Sequence, residues 1–136
     1  MYQPEATTSS VIGTPHFMPP EQFSGEASDG RTDVYALGVT LYVMLSLSQP
    51  HRGDGPAEIL LSAMSRRPIS LLEHRPDLPE RVWEIVARMM HRNRAKRYPD
   101  CREIVADLTA LTVPCARCGA EESVSARFCG ECGAAR

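Results

Sequence analysis

The pattern of apolar and polar positions predicts a mainly helical protein. Residues 1–30 are rich in proline and glycine and show no regular period, so we expect them to be irregular. Apolar residues then surround the axis of a helix predicted from Thr32 to Leu47, which is typical of a helix buried at the centre of a domain. A second, shorter helix is predicted from Ala57 to Ser65, and the proline-containing residues 66–79 are predicted to be irregular.

Two amphipathic helices are predicted in the second half of the chain. Pro79 suits the first position of the earlier helix, because proline has no backbone N–H to leave unpaired there. The apolar residues after it repeat with helical spacing, at Val82, Ile85, Val86, Met89 and Met90. Asp100 and Glu103 have the spacing of a capping box at the start of the later helix. The apolar side of that helix includes Cys101, and we expect this thiol to be buried.

Helical periodicity ends near Thr112, and the remaining residues contain four of the five cysteines. These form two Cys-x-x-Cys pairs, Cys115 with Cys118 and Cys129 with Cys132. Two such pairs can turn four thiolates toward one Zn²⁺ and complete a tetrahedral site. Because the chain shows no secretion signal, this arrangement favours a metal over disulfides. All four positions would be filled by protein, which indicates structural zinc and not catalytic zinc.

The change in pattern divides the chain into two predicted domains, residues 1–112 and residues 113–136. The 136 residues have a formal net charge of −2, which gives no electrostatic reason to expect nucleic acid or an anionic membrane as the main partner. No positively charged leader opens the sequence, and the longest apolar run, Val34 to Leu47, is shorter than the roughly 20 residues that span a bilayer. We therefore expect a cytoplasmic protein without membrane association.

Three segments, in this order, resemble the latter part of the catalytic domain of bacterial-type serine/threonine protein kinases. Residues 13–21 (Gly-Thr-Pro-His-Phe-Met-Pro-Pro-Glu) resemble the end of the activation segment, including the P+1 loop. Residues 33–39 (Asp-Val-Tyr-Ala-Leu-Gly-Val) resemble the start of the central helix of the C-lobe, and residues 82–97 resemble the penultimate helix and the arginine after it. The resemblance covers roughly residues 7–111. It implies a mainly α fold, in which a partial kinase C-lobe of about four helices follows an irregular activation segment. The two Cys-x-x-Cys pairs predict a small zinc ribbon with four cysteine ligands after this lobe.

The resemblance implies scaffolding roles for three charged residues. Glu21 matches the glutamate that forms a buried ion pair in this family, and Arg97 matches its arginine partner. Asp33 matches the aspartate whose carboxylate accepts hydrogen bonds from the backbone of the catalytic loop. The P+1 loop, which contacts the protein substrate after its acceptor hydroxyl, is matched by Gly13, Thr14, Pro15, Phe17 and Met18.

Two further features of the activation segment bear on this resemblance. Thr7 and Thr8 lie where activation-loop phosphorylation usually occurs, and a phosphate there would pair with an arginine of the catalytic loop. The alternative is a solvated polar loop that is never modified. Pro19 stands where alanine is usual in the family and Phe17 where tyrosine is common, and both are packing substitutions that the fold tolerates.

The motifs that perform phosphoryl transfer in this family do not occur in the sequence. It contains no Gly-x-Gly-x-x-Gly loop, no His-Arg-Asp motif with its downstream asparagine, and no Asp-Phe-Gly motif. We therefore assign no catalytic residue in this chain and predict that it does not turn over ATP by itself. ATP and Mg²⁺ are expected only in a full-length parent kinase.

Three functional interpretations stay open from the sequence. In the first, the chain is a fragment of a serine/threonine protein kinase that carries the substrate-side lobe, from a truncated reading frame for instance. In the second, it is a non-catalytic module that docks a partner protein through the partial lobe and the zinc ribbon. The third, a zinc-dependent nucleic-acid-binding protein, is disfavoured because the ribbon has mixed charges and Phe128 as its one aromatic residue. Without a catalytic loop the central helix would expose apolar area, so we predict a marginally stable domain that tends to associate.

Overall fold

The computed structural model describes residues 15–135, and this part of the chain is mainly helical, as the sequence predicts. Short 3₁₀ turns lie at Pro15–Phe17 and Arg94–Lys96. The helices are α1 (Pro20–Phe23), α2 (Gly30–Ser46), α3 (Pro56–Ser65), α4 (Leu71–His74), α5 (Glu80–Met89) and α6 (Cys101–Thr109). Strands β1 (Thr112–Pro114) and β2 (Glu121–Ser123) form an antiparallel hairpin. Among these described helices, none combines the length and the apolar content needed to cross a bilayer.

The caps of helix α2 explain why it begins and ends close to its predicted bounds. The Asp29 carboxylate accepts a hydrogen bond from the Arg31 N–H at 2.8 Å, which satisfies one of the free donors of the first turn. At the other end, Leu47 has a left-handed φ of 54°, and its N–H donates to the Val43 carbonyl oxygen. A leucine rarely adopts this conformation within a helix, so the helix ends there.

Helix α2 packs between two hydrophobic clusters. The first joins it to α5 and α6 and contains Val34, Ile85, Met89, Tyr98, Ile104 and Leu111. The second joins it to α4 and α5 and contains Tyr35, Val39, Tyr42, Leu71, Val86 and Met90. Because both clusters take side chains from α2 and from α5, these two helices form the centre of the described fold.

Helices α2 and α5 approach each other most closely at Gly38. A Cβ atom at this position would lie 2.8 Å from Met89 Cβ and 2.9 Å from Met90 Cγ. Non-bonded carbon atoms pack at about 3.5–4.0 Å, so any side chain here would force the two helices apart. The glycine is therefore needed for the contact between the helices.

One face of α2 is left uncovered by the residues that the structure describes. Leu37 is 39% exposed and Met44 is 68% exposed, and Asp33 and Thr40 are exposed as well. Their spacing of three and four residues places these side chains along one side of the helix. This exposed face agrees with the prediction that the central helix exposes apolar area where no catalytic loop covers it, because the elements described within residues 15–135 pack against its other sides only.

Three smaller predictions are corrected. Helices α1 and α4 interrupt segments that were predicted to be irregular, and the hydroxyl group of Ser70 caps the start of α4. Pro79 is the N-cap residue of α5 and not its first helical residue. Cys101 is exposed and not buried, because α6 packs on the core from Ile104 onward and its first turn lies in solvent.

Candidate metal centre and buried ion pair

The four cysteines predicted to bind metal lie together in the structure. The Sγ atoms of Cys115, Cys118, Cys129 and Cys132 all lie within 4.8 Å of one another. Two of the sulfur–sulfur distances are 3.8 Å (Cys115 to Cys132) and 3.6 Å (Cys118 to Cys129). A tetrahedral site with Zn–S bonds of about 2.3 Å has sulfur–sulfur distances of about 3.8 Å. A disulfide bond would bring two sulfurs to about 2.05 Å, so the cluster has the spacing of a metal site.

The two Cys-x-x-Cys segments have matching backbone geometry. The Gly119 N–H donates to the Cys115 carbonyl oxygen at 2.8 Å, and the Gly133 N–H donates to the Cys129 carbonyl oxygen at 2.9 Å. Both glycines have a left-handed φ, +76° for Gly119 and +67° for Gly133. Glycine adopts this conformation without steric cost, which is why it follows the second cysteine of each pair.

Backbone N–H groups point toward the sulfur atoms. Hydrogen bonds from the backbone N–H groups of Cys118 and Arg117 lower the pKa of the Cys115 thiol to about 6. In the other pair, the Cys132 N–H lies 3.5 Å from Cys129 Sγ and favours the thiolate, but burial and the neighbouring Cys118 thiol outweigh this donor and raise the pKa of Cys129. Such donors stabilise the thiolate, which is the form of cysteine that binds metal. The four cysteines could therefore hold a metal ion such as zinc.

Glu122 is a neighbour of the cysteine cluster that the sequence did not reveal. Its Oε1 accepts a hydrogen bond from the Gly130 N–H at 2.9 Å and lies 3.3 Å from Cys129 Sγ. Strand β2 pairs with β1 so that Glu122 lies opposite Val113. Val113 is two residues before Cys115, so this register brings Glu122 near the cysteine cluster. Because this position depends on the register of the hairpin, no local sequence motif marks it.

The second candidate site is a buried ion pair between Arg97 and Glu21. Arg97 Nη1 and Nη2 donate to the two carboxylate oxygens of Glu21 at 2.6 and 2.8 Å, across 76 positions of sequence. The side chain of Arg97 is 0% exposed and that of Glu21 is 5% exposed. The other guanidinium N–H groups donate to the backbone carbonyl oxygens of Arg31, His91 and Arg92. All five N–H groups thus have acceptors, which offsets the cost of burying the charge.

The surroundings of Glu21 keep it ionised. Burial alone would raise the pKa of Glu21, but the hydrogen bonds and the charge of Arg97 hold that pKa below its ordinary value. The Thr32 hydroxyl also donates to Glu21 Oε1, at 3.4 Å, and the Arg97 guanidinium lies 4.8 Å from the centre of the Tyr35 ring. Thr32 and Tyr35 were not identified from the sequence, because only the tertiary contact reveals their roles.

A proline-rich turn positions Glu21, and a polar turn positions Arg97. Glu21 is the second residue of α1, which starts after the buried Pro19 and has Pro20 at its first position. Arg97 ends the 3₁₀ turn whose start is capped by Asn93, since Asn93 Oδ1 accepts a hydrogen bond from the Ala95 N–H at 2.9 Å. The ion pair therefore fixes α1 to the loop between α5 and α6.

The remaining predicted site residues form no hydrogen bond or ion pair with either site among residues 15–135, or they lie outside the described residues. Asp33 is exposed, and its carboxylate has no hydrogen-bond donor among residues 15–135. Phe17 packs against the second hydrophobic cluster. The next residue, Met18, is half-buried. Pro15 begins a 3₁₀ turn. The four other predicted residues lie outside the described part of the chain and stay predictions: Thr7, Thr8, Gly13 and Thr14.

Comparison with known proteins identifies relatives for most of the chain. Residues 1–108 match the protein kinase domain. The chain is 32% identical over 106 residues to a probable serine/threonine-protein kinase of Clostridium perfringens, an alignment that covers 78% of this chain and 16% of that protein. It is 34% identical over 101 residues to the serine/threonine-protein kinase PknB of Mycolicibacterium smegmatis, covering 74% of this chain and 16% of that protein.

The PknB protein of Mycobacterium tuberculosis gives a similar match. It is 34% identical over 104 residues, which is 76% of this chain and 17% of that protein. The chain thus spans about one sixth of the length of the curated relatives that it matches.

Proposed function

The chain belongs to the protein kinase domain family, and we propose that it forms the substrate-side part of the C-lobe of a serine/threonine protein kinase. The relatives that it matches are serine/threonine kinases by name, and the alignments cover a fragment of their length. In the whole protein this part would contact the protein substrate, while ATP and Mg²⁺ bind to other parts of the kinase domain.

The buried pair of Glu21 and Arg97 is the observation that carries this proposal. Their bidentate ion pair holds α1, and the segment before it, against the helical core. Phe17 and Met18 lie in that segment and are at least partly buried, so the pair would keep them in place for a substrate. Gly13 and Thr14 would complete the substrate contact, as the resemblance to the P+1 loop implies.

The uncovered face of α2 supports the same proposal. Asp33 lies at its start with an exposed carboxylate, and Leu37 and Met44 expose apolar side chains further along. In the kinase family the central helix is buried against the catalytic loop, and the residue that Asp33 matches accepts backbone N–H groups of that loop. A face with one unpaired hydrogen-bond acceptor and several apolar side chains is better suited to contact a catalytic loop than to face water.

We propose that phosphoryl transfer depends on residues that are not found in this sequence. Transfer requires groups that hold the phosphates, chelate Mg²⁺ and orient the acceptor hydroxyl. The sequence has no glycine-rich loop, no His-Arg-Asp motif and no Asp-Phe-Gly motif to supply them. The chain by itself is therefore proposed to be inactive, and to act by positioning a substrate for catalytic residues elsewhere.

A segment replacement in a related kinase tests this proposal. Residues 1–112 would replace the equivalent part of the kinase domain of PknB from Mycobacterium tuberculosis, and phosphate transfer from radiolabelled ATP to a protein substrate would be measured. We expect the chimera to transfer phosphate, and an Arg97→Ala chimera to lose most of that activity. Arg102→Ala is the matched control, because the side chain of Arg102 is 93% exposed. A chimera that melts cooperatively but transfers no phosphate would contradict the proposal.

We further propose that the four-cysteine cluster binds Zn²⁺ as a structural ion. The hairpin around it is too small to bury a core, so the metal would supply its folding energy, on the order of 10 kcal/mol. Elemental analysis of the purified chain should find one zinc per chain, and Cys115→Ser should abolish it. Cys101→Ser is the matched control, since Cys101 is exposed and lies outside the cluster. Equal zinc loss in both variants would argue against the assignment.

A second candidate function is docking of a partner protein without catalysis. The observation that favours it is the same set of exposed apolar side chains on α2, to which Leu47 adds a side chain that is 88% exposed. If the chain exists alone, this face would be covered by a partner and not by a catalytic loop. The mass of the endogenous protein distinguishes these two functions.

A further inference from the structure

A groove of about 1070 Å³ is lined by none of the four clustered cysteines and by no described residue of the P+1 loop. It is lined mainly by residues between 63 and 73, which include the end of α3 and the start of α4, and by residues between 83 and 96, which include most of α5 and the loop after it. Neither the ion pair nor the metal centre accounts for it.

The groove is strongly basic. Four of its cationic residues, Arg66, Arg67, Arg92 and Lys96, have exposed side chains, and none of them forms an ion pair within the described part of the chain. Glu73 is the one acidic residue in its lining. The whole chain nevertheless has a net charge of −2, so positive charge is concentrated here and not spread evenly. A concave surface with charges of one sign attracts oppositely charged ligands more strongly than a flat one.

The lining also contains apolar side chains. Met90 is buried at the core end of the groove, while Trp83 and Ile69 are half-buried. Trp83 packs edge-on against Tyr42, with the ring centres 6.3 Å apart, so it is held in one orientation. The groove therefore offers apolar contacts together with cationic groups.

We propose that this groove binds an acidic peptide segment of a partner protein. The carboxylate or phosphate groups of the segment would pair with Arg66, Arg67, Arg92 and Lys96, and an apolar side chain of the segment would pack on Trp83 and Ile69. Arginine suits this role because its guanidinium group can form two parallel hydrogen bonds to one carboxylate or phosphate.

A peptide fits these features better than a nucleic acid does. Single-stranded nucleic acids bind along charged grooves that present aromatic rings for stacking of successive bases. Trp83 is partly covered by its edge-on contact with Tyr42, and the groove lining contains no tyrosine or phenylalanine among the described residues. The proposed site does not depend on phosphoryl transfer, so binding can be tested without a kinase reaction.

The test is a binding titration with the full zinc-loaded chain. The probe is a fluorescein-labelled peptide rich in Asp and Glu with a central leucine, and its anisotropy reports binding. The same peptide with Asn and Gln in place of Asp and Glu is the control ligand. We expect the acidic peptide to bind, the amide peptide to bind at least about tenfold more weakly, and added salt to weaken the acidic peptide further.

Charge-reversal variants locate the binding. Arg66→Glu combined with Arg67→Glu, and separately Arg92→Glu combined with Lys96→Glu, should each weaken binding by about tenfold or more. The milder pair Arg66→Gln and Arg67→Gln, which changes less charge, should give a smaller loss in the same direction. Arg102→Glu should bind as the wild type does, because Arg102 is exposed outside the groove. Thermal melts of all variants establish that they are folded.

The outcomes separate the proposal from its rivals. Tighter binding of a phosphoserine version of the peptide assigns the site to phosphate groups, and equal binding assigns it to carboxylates. Unchanged binding in the folded charge-reversal variants overturns the proposal, as does equal binding of the acidic and amide peptides. Tighter binding of a single-stranded oligonucleotide or of phosphatidylserine vesicles than of either peptide would overturn the choice of a peptide as the ligand.

Discussion

Arg97 illustrates how a single charged residue is accommodated inside this domain. Its guanidinium group is fully buried and gives all five N–H groups to acceptors, two of them on Glu21. Removing one member of such a pair leaves the other charge buried without compensation. We therefore expect the fold to be destabilised when either residue of the pair is replaced, because each charge is tolerated in the interior only beside the other.

We expect Arg97→Ala to lower the free energy of unfolding by about 3–5 kcal/mol, because Glu21 would lose its partner. Urea unfolding followed by circular dichroism measures this change. Arg102→Ala is the control and should stay within about 0.5 kcal/mol of the wild type, since Arg102 is almost fully exposed. A loss of less than about 1 kcal/mol in Arg97→Ala would show that the pair contributes little to the fold.

His51 gives the chain a specific sensitivity to acid. It is 6% exposed, its Nδ1 lies 3.5 Å from the Ser62 hydroxyl oxygen, and burial lowers its pKa to about 4 from the ordinary 6.5. The folded state therefore holds His51 neutral, while the unfolded chain takes up a proton below pH 6.5. We expect the contribution of His51 to the free energy of unfolding to be constant above pH 6.5 and to fall as the pH decreases from 6.5 toward 4, by roughly 3 kcal/mol in total.

Replacement of His51 by glutamine should remove this acid-dependent loss. Urea unfolding of the wild type and of His51→Gln at several pH values between about 7 and about 4 measures the difference between them. The two should differ in slope in this range, whereas the contribution of Glu21, whose pKa is lowered, is lost only below its ordinary value of 4.5. An equal decline in both proteins would mean that His51 does not titrate as described.

Individual site residues differ in how far the sequence could predict them. The four cysteines were predictable because a Cys-x-x-Cys pair is a local motif with known geometry. Glu21 and Arg97 could be paired only through a family resemblance, since 76 positions separate them. Glu122 was not predicted because its place depends on strand register. The exposed Cys101 was wrongly predicted to be buried, because apolar spacing alone does not show where a helix leaves the core.

Whole elements were predicted well where their signals are local. The helices α2, α3, α5 and α6 lie close to their predicted bounds because their caps and their apolar periods depend on residues that are near in sequence. The side on which an element is covered was predicted less well, because it depends on neighbours that are distant in sequence. Helix α2 has apolar residues on every side, and its face with Leu37 and Met44, which also has Asp33 and Thr40, is the one left exposed. The short helices α1 and α4 were not predicted, since four residues are too few to show a period.

Gly38 provides a test of the packing between the two central helices. Gly38→Ala should destabilise the fold by about 1–3 kcal/mol, because the added Cβ would clash with Met89 and Met90. Gly30→Ala is a matched control in the same helix, since a Cβ there has no atom within 4 Å, and it should be neutral or slightly stabilising. The two variants are compared by their thermal melting temperatures. A Gly38→Ala protein as stable as Gly30→Ala would mean that the helices can separate at little cost.

At the scale of the whole molecule, the described residues combine a well-packed interior with an incompletely covered surface. Two clusters fill the space around α2 and α5, while Leu37, Met44 and Leu47 expose apolar side chains. The tendency to associate that the sequence implies stays a prediction. The central claim is that this chain serves as the substrate-side part of a larger serine/threonine kinase, in which a catalytic loop covers that face.

The intact mass of the endogenous protein tests this claim most directly. The protein would be captured from a cell lysate with an antibody raised against the peptide of residues 115–136 and measured by mass spectrometry. The account predicts a mass well above 15.0 kDa, with His-Arg-Asp and Asp-Phe-Gly motifs in the additional sequence. A mass of 15.0 kDa, with or without bound zinc, would contradict it and would leave protein docking as the function to pursue.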